Sequence, residues 1–120
     1  MTTMADYFLK GFVGAIPELS QVNGNNLATF IISINVGTAN KPDRQWIKCS
    51  AWRELADLVK EYVFQGDLLG INGRILDIKA FMNKQGKPQA TVDIRADEIF
   101  KSFRPGEFKN IKTLERKDRP

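Results

Sequence analysis

The chain has 120 residues, 42% of them hydrophobic and 27% charged, with a formal net charge of +4. That length suits one domain with one modest core, and that composition suits a folded chain rather than a disordered one. Histidine is absent and Cys49 is the one cysteine, which excludes an internal disulfide, the usual zinc ligand sets and Ser-His or Cys-His nucleophile pairs.

The acids are scattered and interleaved with bases, so an enzyme is not expected. No apolar run approaches the roughly 20 residues that span a membrane. The start, Met1-Thr2-Thr3-Met4-Ala5-Asp6, has neither a basic region nor a long apolar core. No secretory leader is therefore expected, and a reducing cytoplasm fits. Charge is unevenly placed. Residues 101–120 hold seven bases and three acids, while the first 100 residues hold eleven of each. The body is neutral and the tail is basic, so a positive groove on the body requires charges to segregate between faces.

Residues 7–13 read as the first strand, with Tyr7, Leu9, Gly11 and Val13 on one face and Phe8, Lys10 and Phe12 on the other. Pro17 ends that ladder because it has no N–H to give. Asn23-Gly24-Asn25-Asn26 signals a turn, since Gly and Asn tolerate positive φ. Residues 27–36 form the second strand, with Ala28, Phe30, Ile32 and Ile34 inward and Thr29, Ile31, Ser33 and Asn35 outward. Residues 37–44 make a hairpin loop, from which Lys41 and Arg44 are in reach of phosphate or simply solvated.

The third strand is Gln45-Trp46-Ile47-Lys48-Cys49-Ser50-Ala51-Trp52. Alternation puts Ile47, Cys49 and Ala51 on one face, small and apolar, as a core face should be. Trp46, Lys48, Ser50 and Trp52 share the other. Two indoles flanking a cation suit bases that stack while lysine meets phosphate, and each stacked base is worth about 1–3 kcal/mol whatever the sequence. The competing reading is that a tryptophan caps a second small core or an oligomer interface.

Residues 53–65 read as a helix. Leu55, Leu58, Val59, Tyr62 and Val63 make one apolar stripe, with Glu54, Asp57 and Glu61 off it. Gly66 is the expected helix stop. Residues 68–81 form a long, bent strand in which Leu69, Ile71, Gly73 and Ile75 begin the inward face and Asn72 and Arg74 point outward. Asn83-Lys84-Gln85-Gly86-Lys87 is a hairpin tip. Residues 89–100 form the last strand, with Val92, Ile94 and Ala96 alternating against Asp93, Arg95 and Asp97. The tail is polar, with a short helix possible near Ile111 and Leu114.

Three strands, a helix and two strands is the element order of an all-β, five-stranded OB-fold, a Greek-key barrel with one α-helix between strands 3 and 4. The expected domain covers residues 4–100, and residues 101–120 form a short basic tail.

At this point the sequence resembles the bacterial single-stranded DNA-binding proteins, over residues 4–100. Pro17-Glu18-Leu19 matches the family's D-P-E-L, with Ile16 in place of Asp. Asn23-Gly24 leading to Leu27-Ala28-Thr29-Phe30 is similar to N-G…V-A-N-F. Trp46-Ile47-Lys48 through Ala51-Trp52 resembles W-[FH]-R-V-V-A-[WF]. Leu55-Ala56-Asp57, Tyr62 through Gly66-Asp67, Asn72-Gly73-Arg74 and Ala96-Asp97-Glu98-Ile99 follow the family's later motifs in order. The resemblance implies that Trp46, Trp52 and Phe81 stack on bases and that Lys48, standing where Arg is usual, contacts phosphate. Between Gly73 and Phe81 the chain has one residue more than the common pattern, so a bulge is expected within residues 75–80. The family's loop aromatic after strand 2 has no counterpart in residues 36–44. The resemblance also implies a homotetramer, with a dimer possible, in a cytoplasmic, nucleoid-associated setting. It implies roles in DNA replication, recombination and repair. The acidic tip by which family members recruit repair enzymes is missing, as in a tail-less variant.

The first functional reading is thus sequence-independent binding of single-stranded DNA. Lys10, Lys48, Arg74, Lys79, Lys84 and Lys87 would follow the backbone, and no metal or cofactor is needed. A second reading is a primosomal-type OB adaptor acting mainly through protein contacts. A third is single-stranded RNA, because stacking and phosphate contacts do not sense the 2′-OH.

Overall fold

The computed structural model describes residues 9–35, 37–41 and 43–115. Tyr7, Phe8, Val36 and the bases Arg116, Lys117 and Arg119 of the expected tail lie outside them. In chain order the elements are β1 (Leu9–Val13), β2 (Glu18–Val22), β3 (Asn25–Asn35), β4 (Arg44–Trp52), α1 (Glu54–Tyr62), β5 (Leu68–Met82), β6 (Pro88–Arg104) and β7 (Glu107–Asn110), followed by a 3-10 turn at Ile111–Thr113.

Five strands close a ring in the order β1-β5-β6-β4-β3, with β3 returning to β1. All neighbours are antiparallel except β4 and β6, which run parallel. The ring is the one expected from the element order. The helix, however, lies between β4 and β5, not between strands 3 and 4, because β2 is an additional strand. Among the described residues it pairs only with β3, as a hairpin through Asn23 and Gly24, both at positive φ (51° and 80°). Every residue of β2 is exposed, so it has no buried face to announce it.

Alternation builds the core as the sequence predicts. Leu9 and Val13 of β1, Ala28, Phe30 and Ile32 of β3, Ile47, Cys49 and Ala51 of β4, and Leu69 and Ile71 of β5 are all buried. Burial pushes the Cys49 thiol up to about 12, which leaves it protonated and inert. One Cα crossing is tight. A Cβ on Gly11 would come within 2.4 Å of the Ser33 carbonyl oxygen, so only glycine fits where β1 passes β3.

The helix closes one end of the ring with Ala56, Val59 and Tyr62. It stops at Tyr62, three residues before the predicted end. Val63 turns extended (φ −106°, ψ 124°) and buries its side chain. The chain then pairs with β1, Gly66 N donating to Val13 O at 2.8 Å and Val13 N to Asp67 O at 2.8 Å. That pairing outweighs another helical turn, so Gly66 (φ 91°) serves a tight turn and is not the helix stop.

The boundary expected at residue 100 falls inside β6, which continues to Arg104 and pairs with β7. Ile111 and Leu114 are buried, and the Tyr62 hydroxyl donates to Leu114 O at 3.3 Å. Lys101 is buried as well. Its ammonium donates to Tyr62 O at 2.8 Å, pairs with Asp67 Oδ2 at 3.3 Å, and stands 5.1 and 5.4 Å from the Phe64 and Phe103 rings. A buried cation is tolerated only when so surrounded. Asp67 also accepts the Phe64 N–H at 2.8 Å. Asp67→Ala should therefore cost about 2–4 kcal/mol in urea unfolding, because it strands a buried ammonium. Lys101→Met, which leaves only a carboxylate with water access, should cost clearly less.

Candidate nucleic-acid interface

Pairing on both sides fixes the direction of every β4 side chain. Ile47, Cys49 and Ala51 fill the ring, so Trp46, Lys48, Ser50 and Trp52 must face out. The two indoles are six residues apart, which at about 3.3 Å per residue separates them by roughly 20 Å. Lys48 and Ser50 lie between them.

Trp46 is 52% exposed. Its benzo ring rests on Gly14, where an added Cβ would come within 2.5 Å of Cζ3. Gly14 is pinned by its N–H to Ile31 O at 2.9 Å. Thus one side of the ring has a backbone floor and the rest is open. The neighbouring position across the ladder is Ser33, buried and accepting from Arg44 Nη1 at 2.7 Å. Arg44 is thereby tied down beside the Trp46 end.

Lys48 is exposed and borders a cleft formed with Ala15, Ile16, Glu18, Thr29 and Ile31. It makes no ion pair among the described residues. Trp52 is half-buried beside Leu27 and borders a second cleft, with the β2–β3 turn and two arginines.

The register carries this outer face onto β6 and β5. Lys48 is level with Asp93, and Ser50 with Arg95, which lies directly opposite Arg74. Arg74 is exposed and pairs with Asp97 at 3.5 Å. β6 stays paired with β4 as far as Val92, opposite Ile78, and beyond these residues β5 and β6 leave the ring as a two-stranded arm. Ile75 was expected to begin the core face. It faces that way, opposite buried Ile94, yet is 55% exposed, and among the described residues β5 pairs with β1 no further than Ile71.

The ladder slips between Ile75 and Asp77, leaving Leu76 as the extra residue. This bulge falls within the predicted residues 75–80, and it decides where Phe81 points. Counted by strict alternation from inward Ile75, Phe81 would point inward as well. The bulge reverses the parity. Asp77, Lys79 and Phe81 now lie opposite Asp93, Thr91 and Gln89, on the face that carries Lys48. Phe81 is 49% exposed. Lys79 is exposed and 3.6 Å from Asp77. Lys84 and Lys87 sit at the arm's tip, in a turn whose Asn83 Oδ1 accepts from Gln85 N and Lys87 N, both at 2.9 Å.

The structure therefore brings Trp46, Lys48, Trp52, Arg74, Lys79 and Phe81 onto one continuous face, with Lys84 and Lys87 at its far end. Lys10 is not among them. It projects from β1, two strands from β4 by way of β3 and three by way of β5 and β6, with its ammonium 5.9 Å from the Phe108 ring. Sequence reasoning set Arg95 outward but left it out of the site. The parallel pairing of β4 with β6, which places Arg95 beside Ser50, leaves no local sequence signal. No helix among the described residues is long and apolar enough to cross a membrane, and they contain no metal-ligand cluster.

Residues 4–101 match the model of the Single-strand binding protein family. The single-stranded DNA-binding protein of Chlamydia caviae is 28% identical over 114 residues, spanning 93% of this chain and 70% of that one. Single-stranded DNA-binding protein 2 of Staphylococcus aureus is 31% identical over 95 residues, spanning 76% and 68%. Against single-stranded DNA-binding protein A of Bacillus subtilis, 30% identical, the aligned part spans 55% of the relative's length. The crystal structure of a small single-stranded DNA-binding protein from Streptomyces coelicolor superposes with a TM-score of 0.63 at 18% identity. It covers 81% of this chain and 93% of the other.

The contact between Gly14 and Trp46 is testable without any ligand. Gly14→Ala should leave stability within about 0.5 kcal/mol, because a surface ring gives way more easily than backbone. It should still shift the tryptophan emission, since the ring loses its floor. Unchanged emission would contradict the packing described.

Proposed function

The chain belongs to the single-strand binding protein family, a family of non-enzymatic DNA-binding proteins, and from that premise we propose that it binds single-stranded DNA without regard to sequence. Bases stack on Trp46, Trp52 and Phe81, and the backbone follows Lys48, Arg74, Lys79, Lys84 and Lys87. The observation that carries this reading is the exposure of Trp46 and Phe81, at 52% and 49%, on the face that also holds Trp52. Large rings at the surface with cations between them suit a flexible polyanion whose bases are unpaired. The ion pairs of Arg74 and Lys79 are exposed and weak, so phosphates displace their carboxylates at little cost. The biological setting we propose is protection of single strands in the cytoplasm, at the nucleoid, during replication, recombination and repair.

Anisotropy titration of a labelled dT oligomer tests the reading. Trp46→Ala and Trp52→Ala should each weaken binding by about 1–3 kcal/mol, or roughly 5- to 150-fold. Phe81→Ala should weaken it less, being one ring on an arm. Deleting Leu76 should cost as much as Phe81→Ala, because it turns that ring to the opposite face. Wild-type affinity in both tryptophan variants would overturn the stacking reading and favour the adaptor reading. Equal titrations with dT and rU oligomers would widen the ligand to RNA.

We also propose that the protein is a homo-oligomer, a tetramer by family resemblance. Supporting this, Ile75, Leu76, Ile78 and Met82 are each more than half exposed along β5, and apolar clusters of that kind mark protein contacts. Light scattering should give a multiple of the 13.6 kDa chain mass. Ile78→Asp with Met82→Asp should reduce that multiple. A wild-type monomer at micromolar concentration would contradict the proposal.

A further inference from the structure

The cleft beside Trp52 has a floor and walls that the stacking model does not use. It is bordered by Val22, Asn23, Asn25, Trp52, Arg53 and Arg95. Two of the six are arginines and none is an acid. One ring borders it, and that ring is already assigned to a base.

Arg95 is only partly exposed, and its side chain makes no hydrogen bond or ion pair with any described residue. Its direct cross-strand neighbour is Arg74. Like charges facing each other across a ladder repel. Asp97 relieves Arg74, at 3.5 Å, and no acid among the described residues pairs with Arg95. A half-buried cation beside another cation calls for an anion.

Arg53 supplies the second guanidinium. Its Nε donates to Asn25 Oδ1 at 3.3 Å, which holds the fork while leaving both Nη atoms for another partner. Its backbone sits at φ 58°, ψ −122°, and its N–H donates to Asn26 O at 2.8 Å. Glycine enters that conformation freely and side chains rarely do. A large charged residue is kept at a position where its backbone is under strain.

We propose that Arg53 and Arg95 clamp one internucleotide phosphate of the bound strand, adjoining the base that stacks on Trp52. This rests on the single-stranded DNA reading and deepens it. The strand then runs past the end of β4 and over the β2–β3 turn, instead of ending at the last ring. Two guanidinium forks match the paired oxygens of a phosphate better than ammonium groups do. The contact is to backbone alone and adds affinity without sequence preference.

The conformation of residue 53 makes a clean test possible. Arg53→Gly removes the guanidinium and the backbone strain together, so it should fold with an unchanged or higher melting temperature. A dT oligomer is titrated at a series of salt concentrations against wild type, Arg53→Gly, Arg95→Gln and the double variant, with Lys112→Gln as an exposed control. Because both guanidinium groups hold one phosphate, the double variant should reduce the slope of log affinity against log salt by about 0.7, and each single variant by part of that. Affinity at fixed moderate salt should fall several-fold in each single variant, and the control should match wild type. Wild-type slopes in folded Arg53→Gly and Arg95→Gln would overturn the clamp while leaving the stacking reading intact. No binding by wild-type protein would overturn both.

Discussion

The outward face of β4 is set by what its inward face must do. This strand is paired along nine residues to β3 and, on its other edge, in parallel to β6. With both edges satisfied, Ile47, Cys49 and Ala51 fill the ring, at 5%, 0% and 0% exposure. Slipping the strand by one residue would drive two indoles and a lysine into that space and expose the core residues. Trp46, Lys48 and Trp52 are therefore held at the surface by the cost of the alternative. Their spacing follows from the rise of the strand, and their backbone is rigid because it is core backbone.

The same alternation extends the face, through two interruptions. In β6, the ladder shifts where Asn72 faces Glu98 and Gly73 faces Ala96, and a Cβ at Gly73 would overlap the Arg95 backbone. In β5, the bulge at Leu76 reverses the direction of everything beyond it. Ile78 and Met82 turn to one side of the arm, and Lys79 and Phe81 to the side that carries Lys48. A single inserted residue thus assigns an aromatic to the proposed binding face and an apolar strip to the opposite one.

What was legible in the sequence follows from burial. Strands with one buried face announced themselves by alternation, and the helix by its stripe, because those patterns are written in side-chain type. The position of the Leu76 bulge was legible as well, from one residue too many between Gly73 and Phe81. β2 was not, since none of its residues is buried and only its hydrogen bonds to β3 define it. The helix end was missed because a non-local pairing, Gly66 and Asp67 with Val13, competes with helical propensity. The continuation past residue 100 was missed because Lys101 reads as surface, whereas the fold buries its charge against Asp67 and the Tyr62 carbonyl. Arg53 and Arg95 escaped for a related reason. They meet through a cleft that joins a turn, a strand end and a parallel neighbour, and no stretch of sequence contains all three.

The account rests on the two tryptophans being platforms for bases, and their own fluorescence reports on it most directly. Titration of the protein with poly(dT) should quench a large, saturable part of the tryptophan emission at low salt. Much of that quenching should persist at moderate salt, because stacking is less salt-sensitive than phosphate contact. A folded protein whose emission barely changes with poly(dT) at low salt would contradict the account, and the tryptophan face would then be a surface for another protein chain.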